Sequence, residues 1–170
     1  MRVLLAAIAL FAASGATFAQ DVALEYRVKA AYLFNFTKFV DWPPAALESG
    51  NSFQICLAGT NPFGPALAST LVGETAAGLP LAARIIEPKD AGACHVLFVP
   101  RTVAAAPFLR GVGMAPVLTV GESPDFVRQG GAIRFVVEGG RVRFEINQTA
   151  AERAQLKVSS RLLQLGRGAG

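Results

Sequence analysis

From Asp21 to Val40 the chain reads DVALEYRVKAAYLFNFTKFV, a stretch without Gly or Pro in which apolar side chains fall on most sides of a helix. A helix of this composition must be largely covered by other elements. It is expected to stop at Asp41-Trp42-Pro43-Pro44, because a residue before proline is pushed out of the helical region and proline cannot extend the ladder. Beyond it, short β-rich runs (Phe53–Ala58, Ala82–Glu87, Cys94–Val99 and Val117–Val120) alternate with helix-permissive stretches at Pro65–Val72, Val103–Arg110 and Pro124–Gln129. Apolar strands separated by helices predict a mainly parallel sheet covered on both faces. Ala132–Val137 and Arg141–Ile146 differ, since Glu138-Gly139-Gly140 joins them and the second run alternates polar with apolar residues; this predicts a β-hairpin. A last helix is expected to open on the capping box Thr149-Ala150-Ala151-Glu152, run to about Leu165 and fray into Gly166–Gly170. The pattern is that of an α/β fold: a single domain with a mainly parallel sheet, helices on both faces, a C-terminal β-hairpin, and N- and C-terminal helices.

The opening residues, MRVLLAAIALFAASGATFAQ, carry an early positive charge at Arg2, an apolar run from Val3 to Ala13, and small residues before a polar boundary. This is the build of a secretory signal peptide. Thr17 and Ala19 fill the two small-residue positions that signal peptidase reads, so residues 1–19 are expected to be removed and residues 20–170 to form one α/β domain in the periplasm. The apolar run is well short of the roughly 20 residues that span a bilayer, and no Cys follows the boundary to suggest a lipoprotein. A net charge of +4, spread along the chain, is too mild and too scattered for a nucleic-acid surface, so no nucleic-acid partner is expected.

In an exported chain the two cysteines, Cys56 and Cys94, read first as a disulfide. Closing that loop would stabilise the fold by roughly 4 kcal/mol in a chain-entropy treatment; the other reading is a pair of buried, inert thiols. His95, the single histidine, follows Cys94 directly, but neighbours on a strand point to opposite faces, so a thiolate–imidazolium pair is not expected. One histidine and two cysteines do not make a four-ligand zinc site, and neither a metal nor a cofactor is expected. Gly59-Thr60-Asn61-Pro62-Phe63-Gly64 lies between a strand and a helix, where α/β folds can bind anions through free amides. Gly59, Thr60, Asn61 and Gly64 are therefore candidate ligand-binding residues, although the segment matches no phosphate-loop pattern and reads equally as a tight connection. Glu74, Glu87, Asp90, Glu122, Asp125 and Glu145 are dispersed, and no serine sits in a nucleophile elbow, so an enzyme is not expected.

Two segments carry a recognisable signature: Tyr26-Arg27-Val28-Lys29-Ala30-Ala31-Tyr32-Leu33-Phe34-Asn35-Phe36-Thr37-Lys38-Phe39-Val40-Asp41-Trp42-Pro43, and Phe144-Glu145-Ile146-Asn147 followed by Leu156-Lys157-Val158-Ser159-Ser160-Arg161-Leu162-Leu163. With Gln54–Gly59 and Cys94–Val99 between them, the chain resembles the YfiR family over essentially all of residues 20–170. The resemblance implies a non-catalytic periplasmic protein that represses an inner-membrane diguanylate cyclase by binding its periplasmic sensor region, so that cyclic-di-GMP falls. The implied partners are that cyclase or another membrane sensor, an outer-membrane lipoprotein that sequesters the repressor, and a second copy in a homodimer. The resemblance maps the family's shared disulfide onto Cys56 and Cys94, and its partner surface onto Glu145, Asn147, Lys157, Ser159 and Arg161.

Read without the resemblance, Glu145 is an outward hairpin residue, Asn147 a turn or cap, and Lys157 with Arg161 a solvated i,i+4 pair on one helix. Tyr32, Phe34, Phe36, Phe39 and Trp42 read as core at least as well as interface. The chain departs from the family in lacking cysteines for a second disulfide, in Gln155 where relatives usually have Gly, and in Gln148 where they usually have an apolar residue. The rival functional class is a periplasmic small-molecule binding module, using the Gly59–Gly64 connection.

Overall fold

The computed structural model describes residues 13–48 and 50–168; most of the expected signal peptide, residues 1–12, lies outside them, as do Ala169 and Gly170. In chain order the elements are α1 (Ala13–Phe39), β1 (Val40–Asp41), α2 (Pro44–Leu47), β2 (Phe53–Ala58), α3 (Ala66–Leu71), β3 (Thr75–Ala76), β4 (Leu79–Ile86) and a 3-10 segment, Pro88–Ala93. Then come β5 (Val96–Val99), α4 (Ala105–Val112), β6 (Leu118–Gly121), β7 (Ile133–Glu138), β8 (Arg141–Ile146), α5 (Gln148–Arg153), β9 (Lys157–Val158), α6 (Ser160–Leu165) and β10 (Arg167–Gly168).

One sheet of eight strands has the order β10-β8-β7-β6-β5-β2-β4-β3. Within it β4, β2, β5, β6 and β7 are mutually parallel, and numbered by their own sequence they lie 2-1-3-4-5, the doubly wound order with a switch point between β2 and β5. β8 returns antiparallel to β7, with Glu138 opposite Arg141 across Gly139 and Gly140, both at positive φ. That is the hairpin expected from the sequence.

Strict alternation splits the core in two. Phe53, Ile55 and Leu57 of β2, Val96 and Phe98 of β5, Leu118 and Val120 of β6, Ile133 and Phe135 of β7, and Phe144 and Ile146 of β8 face α1, α3, α5 and α6. Cys56, Ala58, Leu97 and Val99 face α4 and the 3-10 segment. Phe36 and Trp42 are buried in the first layer, and Phe36 with the half-buried Tyr32 packs on Phe135 and Phe144. α1 ends before Trp42-Pro43-Pro44, as its sequence requires.

Two expected elements are different in the structure. Pro124–Gln129 is an irregular turn and not a helix. Phe126 is fully buried there, its ring seated between Gly121 and Gly131, where an added Cβ would lie 2.3 Å and 2.1 Å from ring atoms. Seating the ring sets the path of the backbone, and local helix propensity yields to it.

The single C-terminal helix is instead α5 and α6 separated by a turn and a strand. Asn147, not Thr149, caps α5 by accepting from the Ala150 amide, and Ser159 caps α6 by accepting from Leu162. Between them Gln155 sits at φ +59°, Leu156 is buried, and Lys157–Val158 pairs with Val40–Asp41. Tertiary strand pairing here overrides helix propensity. Arg167–Gly168, expected to fray, pairs with β8.

The left-handed backbone at Gln155 costs an L-residue roughly 1 kcal/mol or more, partly offset by the greater entropy glycine has in the unfolded chain. Gln155→Gly is therefore expected to raise stability by about 0.5–1 kcal/mol, read as a higher midpoint in denaturant at unchanged slope.

Candidate functional site

Lys29 lies on the covered stripe of α1, in helical step with Leu33 and Phe36, and is fully buried. An ammonium there requires counter-charge, because an unpaired buried charge is prohibitive. It bonds both to Glu25, one turn earlier, and to Glu122, the residue that follows β6. The Glu122 carboxylate also accepts from the Tyr26 hydroxyl at 3.2 Å and from the Arg101 amide at 2.9 Å. The Arg101 side chain, 57% exposed, closes the cluster from outside, 3.3 Å from Glu25 and 4.0 Å from Glu122.

The cluster holds two carboxylates against two cations at the carboxyl ends of β5 and β6, and it pins α1 to the sheet. Burial first, and then the Glu122 charge to which it donates, push the Tyr26 hydroxyl well above the usual phenol range, so it is a fixed donor. Lys29 and Glu122 are both sealed from solvent, so this pair holds the helix in position. In the sequence Glu122 is one of several dispersed carboxylates, and nothing beside it marks it out. The signal that could have found it is Lys29, a cation within an apolar helix stripe.

At the other end of the strands Cys56 and Cys94 form a disulfide, with Cα atoms 5.9 Å apart on the face covered by α4. His95 turns to the opposite face, as alternation requires, and stacks on Phe53 with ring centroids 4.4 Å apart. Its Nδ1 accepts from the Gln54 amide at 2.9 Å, which leaves the proton on Nε2 to be donated to the Ala46 carbonyl at 3.0 Å. Its own carbonyl accepts from Trp42 Nε1 at 3.2 Å. Burial pulls the imidazole below its ordinary range, opposed by the Ala46 bond. His95 is a neutral structural bridge. Beside it lies a groove of about 490 Å³ lined by Pro43, Ala46, Cys94, His95, Pro116 and Gln155, among others.

The residues mapped as a partner surface fall into two groups. Glu145 makes a two-pronged pair with Arg134 at 2.9 Å and 3.0 Å, and Arg134 also donates to the Pro124 carbonyl. Asn147 caps α5 and reaches the Val127 carbonyl, so both residues brace the turn around Phe126. Ser159 caps α6 and donates its amide to Phe39. Lys157 lies on β9 and Arg161 on α6, so they are not the i,i+4 pair of one helix; both are exposed, and neither has an ion-pair partner among the described residues.

The Gly59–Gly64 connection lies at the switch point, and Phe63 packs edge-on against Tyr26 at 5.4 Å. The loop is closed largely by its own bonds. Gly59 donates to Ile86, Thr60 to Ala58, and Phe63 to Asn61 Oδ1, while Asn61 Nδ2 donates to Gly64. Among the described residues no helix is long and apolar enough to cross a membrane, and no group of three or more His, Cys, Asp or Glu residues is placed to hold a metal ion.

A family model described as YfiR/HmsC-like matches residues 26–167, which include Tyr26, Lys29, Arg101 and Glu122 of the buried cluster, the disulfide and both groups of mapped residues. No curated protein matches the chain.

Removing one member of the buried cluster strands its counter-charge. Lys29→Met is expected to cost about 3–5 kcal/mol in denaturant unfolding, and Lys29→Met with Glu122→Gln less than that single change, because the stranded carboxylate is then neutral. A second expectation concerns pH. A lowered folded-state pKa at His95 means that the unfolded chain binds more protons below about 6.5, so stability is full above that pH and declines as pH falls through it. The melting temperature should fall between pH 7.5 and 5.5, and His95→Gln, which keeps an acceptor and a donor, should flatten that part of the profile.

Proposed function

Because the chain belongs to the YfiR/HmsC-like family, we propose that it is a periplasmic, non-catalytic regulator that binds the extracytoplasmic region of an inner-membrane signalling enzyme. Membership fits a regulator of cyclic-di-GMP signalling in general; the finer reading is that this protein represses a diguanylate cyclase. The family match over residues 26–167 is the observation that carries the proposal. The disulfide suits an oxidising compartment.

The side chains support the same reading. Lys29, Glu122 and His95 are buried and engaged in holding the fold, whereas Lys157 and Arg161 are exposed cations left for a partner. Regulation by association needs only that the protein prefer one state of the enzyme over another. An outer-membrane lipoprotein and a second copy of the chain are the other partners in this scheme. The switch-point position of Gly59–Gly64 favours a second reading, a module whose small ligand sets partner affinity, since doubly wound folds take ligands at that place.

Mature protein used to capture partners from detergent-solubilised membranes should retain a membrane signalling enzyme when oxidised. Lys157→Glu with Arg161→Glu should weaken that retention at least tenfold with the fold intact by circular dichroism, although the melting temperature falls slightly because Lys157→Glu sets a second carboxylate opposite Asp41. Retention unchanged by the double reversal would remove these residues from the interface. A folded, oxidised protein that retains no membrane protein would overturn the regulatory reading, and a thermal-shift screen of small molecules would then test the ligand-binding module.

A further inference from the structure

The two borders of the sheet are finished differently. On the β8 side the short β10 covers Glu145 and Ile146, and Arg167 and Arg143 gather on Glu138. Charge of this kind protects an edge from unwanted pairing. On the β4 side β3 covers Leu79 and Pro80, the Glu74 carbonyl takes the Leu81 amide, and no strand among the described residues pairs with the outer edge beyond Leu81.

Backbone direction along β4 follows from two bonds. The Leu81 amide points outward, donating to the Glu74 carbonyl, while the Ile86 carbonyl points inward, accepting from Gly59. Alternation along a strand therefore turns the amides and carbonyls of Ala83 and Ile85 to the outer edge. Both residues are exposed, and so is Arg84 between them. Beside the edge, on the α3 face, runs a groove of about 440 Å³ whose lining includes Leu71, Val72, Pro80, Leu81 and Ala83. Val72 is 79% exposed there and Ile85 55%. On the opposite face Arg84 has no ion-pair partner among the described residues.

We propose that the outer edge of β4 docks an extended segment of a partner polypeptide, apolar at alternate positions on the α3 face and acidic at the positions facing Arg84. Outward amides and carbonyls at alternate residues select an extended backbone. The groove takes one set of side chains and Arg84 the other. A second copy of this chain is disfavoured, because two β4 edges pairing antiparallel through Ala83 and Ile85 would set Arg84 directly opposite Arg84, and like charges so placed repel. The proposal extends the reading of the chain as a partner-binding protein to a surface apart from Lys157 and Arg161. Its test needs no signalling enzyme, so the two fail separately.

The probe is a capped seven-residue peptide of alternating Val and Glu, added at millimolar concentration to the oxidised, exported protein, with amide exchange followed by NMR. Exchange at Ala83 and Ile85 should slow at least tenfold, while a peptide with Lys in place of Glu should bind at least tenfold more weakly. Ile85→Pro, which removes one outward donor and leaves the bonds to β2 in place, and Val72→Glu, which puts charge in the groove, should each weaken binding with the fold intact by circular dichroism. No slowing at the highest peptide concentration, or equal slowing by the Lys peptide, overturns the proposal. So does protection of Ala83 and Ile85 in the free protein that rises with protein concentration, since the occupant would then be a second copy.

Discussion

The bond between Lys29 and Glu122 is the constraint on which the layered structure turns. α1 supplies much of the cover for one whole face of the sheet, yet Lys29 lies on its buried stripe. The helix can lie there only if a carboxylate waits beneath it, and Glu122 waits at the end of β6. Glu122 in turn is fixed by the Arg101 amide from the end of β5 and by the Tyr26 hydroxyl from α1. A hydrophobic interface would hold the helix against the sheet but would tolerate sliding. The ion cluster fixes its register, as buried polar contacts do in some packed helices at a cost in desolvation.

Elements whose cause is local in the sequence were legible. β2, β7 and β8 stand within about a residue of where alternation and turn residues set them, and α3 and α4 fall inside or close to the helix-permissive stretches. Short elements were not, because their cause is distant in sequence. Nothing local in Lys157-Val158 announces a strand; it is one because Val40 and Asp41 lie beside it. The capping box at Thr149 is sound chemistry, but Asn147 takes the cap two residues earlier, where the chain leaves β8. The same division holds for the site. Cys56 and Cys94 could be paired by count and compartment, while Glu122 could not be matched to Lys29 across 93 residues of sequence.

Among the residues that the resemblance assigned to a partner, the structure separates those already engaged within the fold from those left free. Glu145, Asn147 and Ser159 each close a turn or begin a helix, so a change at any of them alters the surface by altering the fold. Only Lys157 and Arg161 can contribute charge to a partner without first giving up a bond among the described residues. That difference decides which substitutions can report on binding and which would report on stability.

The disulfide and this exposed pair are joined by an unbroken run of contacts. Cys94 fixes the start of β5, and the next residue, His95, holds Gln54 and Ala46 through its ring and Trp42 through its carbonyl. Trp42 follows β1, which pairs with β9 so that Asp41 stands opposite Lys157, and the Ser159 amide bonds to Phe39 just before β1. Reduction of Cys56–Cys94 would leave His95 to hold the start of β5 by hydrogen bonds and stacking alone, with β1 and β9 hanging from the same residue. Contiguity of this kind becomes coupling only where an element has two arrangements for both ends to bias. In that run the pair β1–β9 rests on two residues of each strand, Val40 with Val158 and Asp41 with Lys157, whereas the sheet beside it spans eight strands.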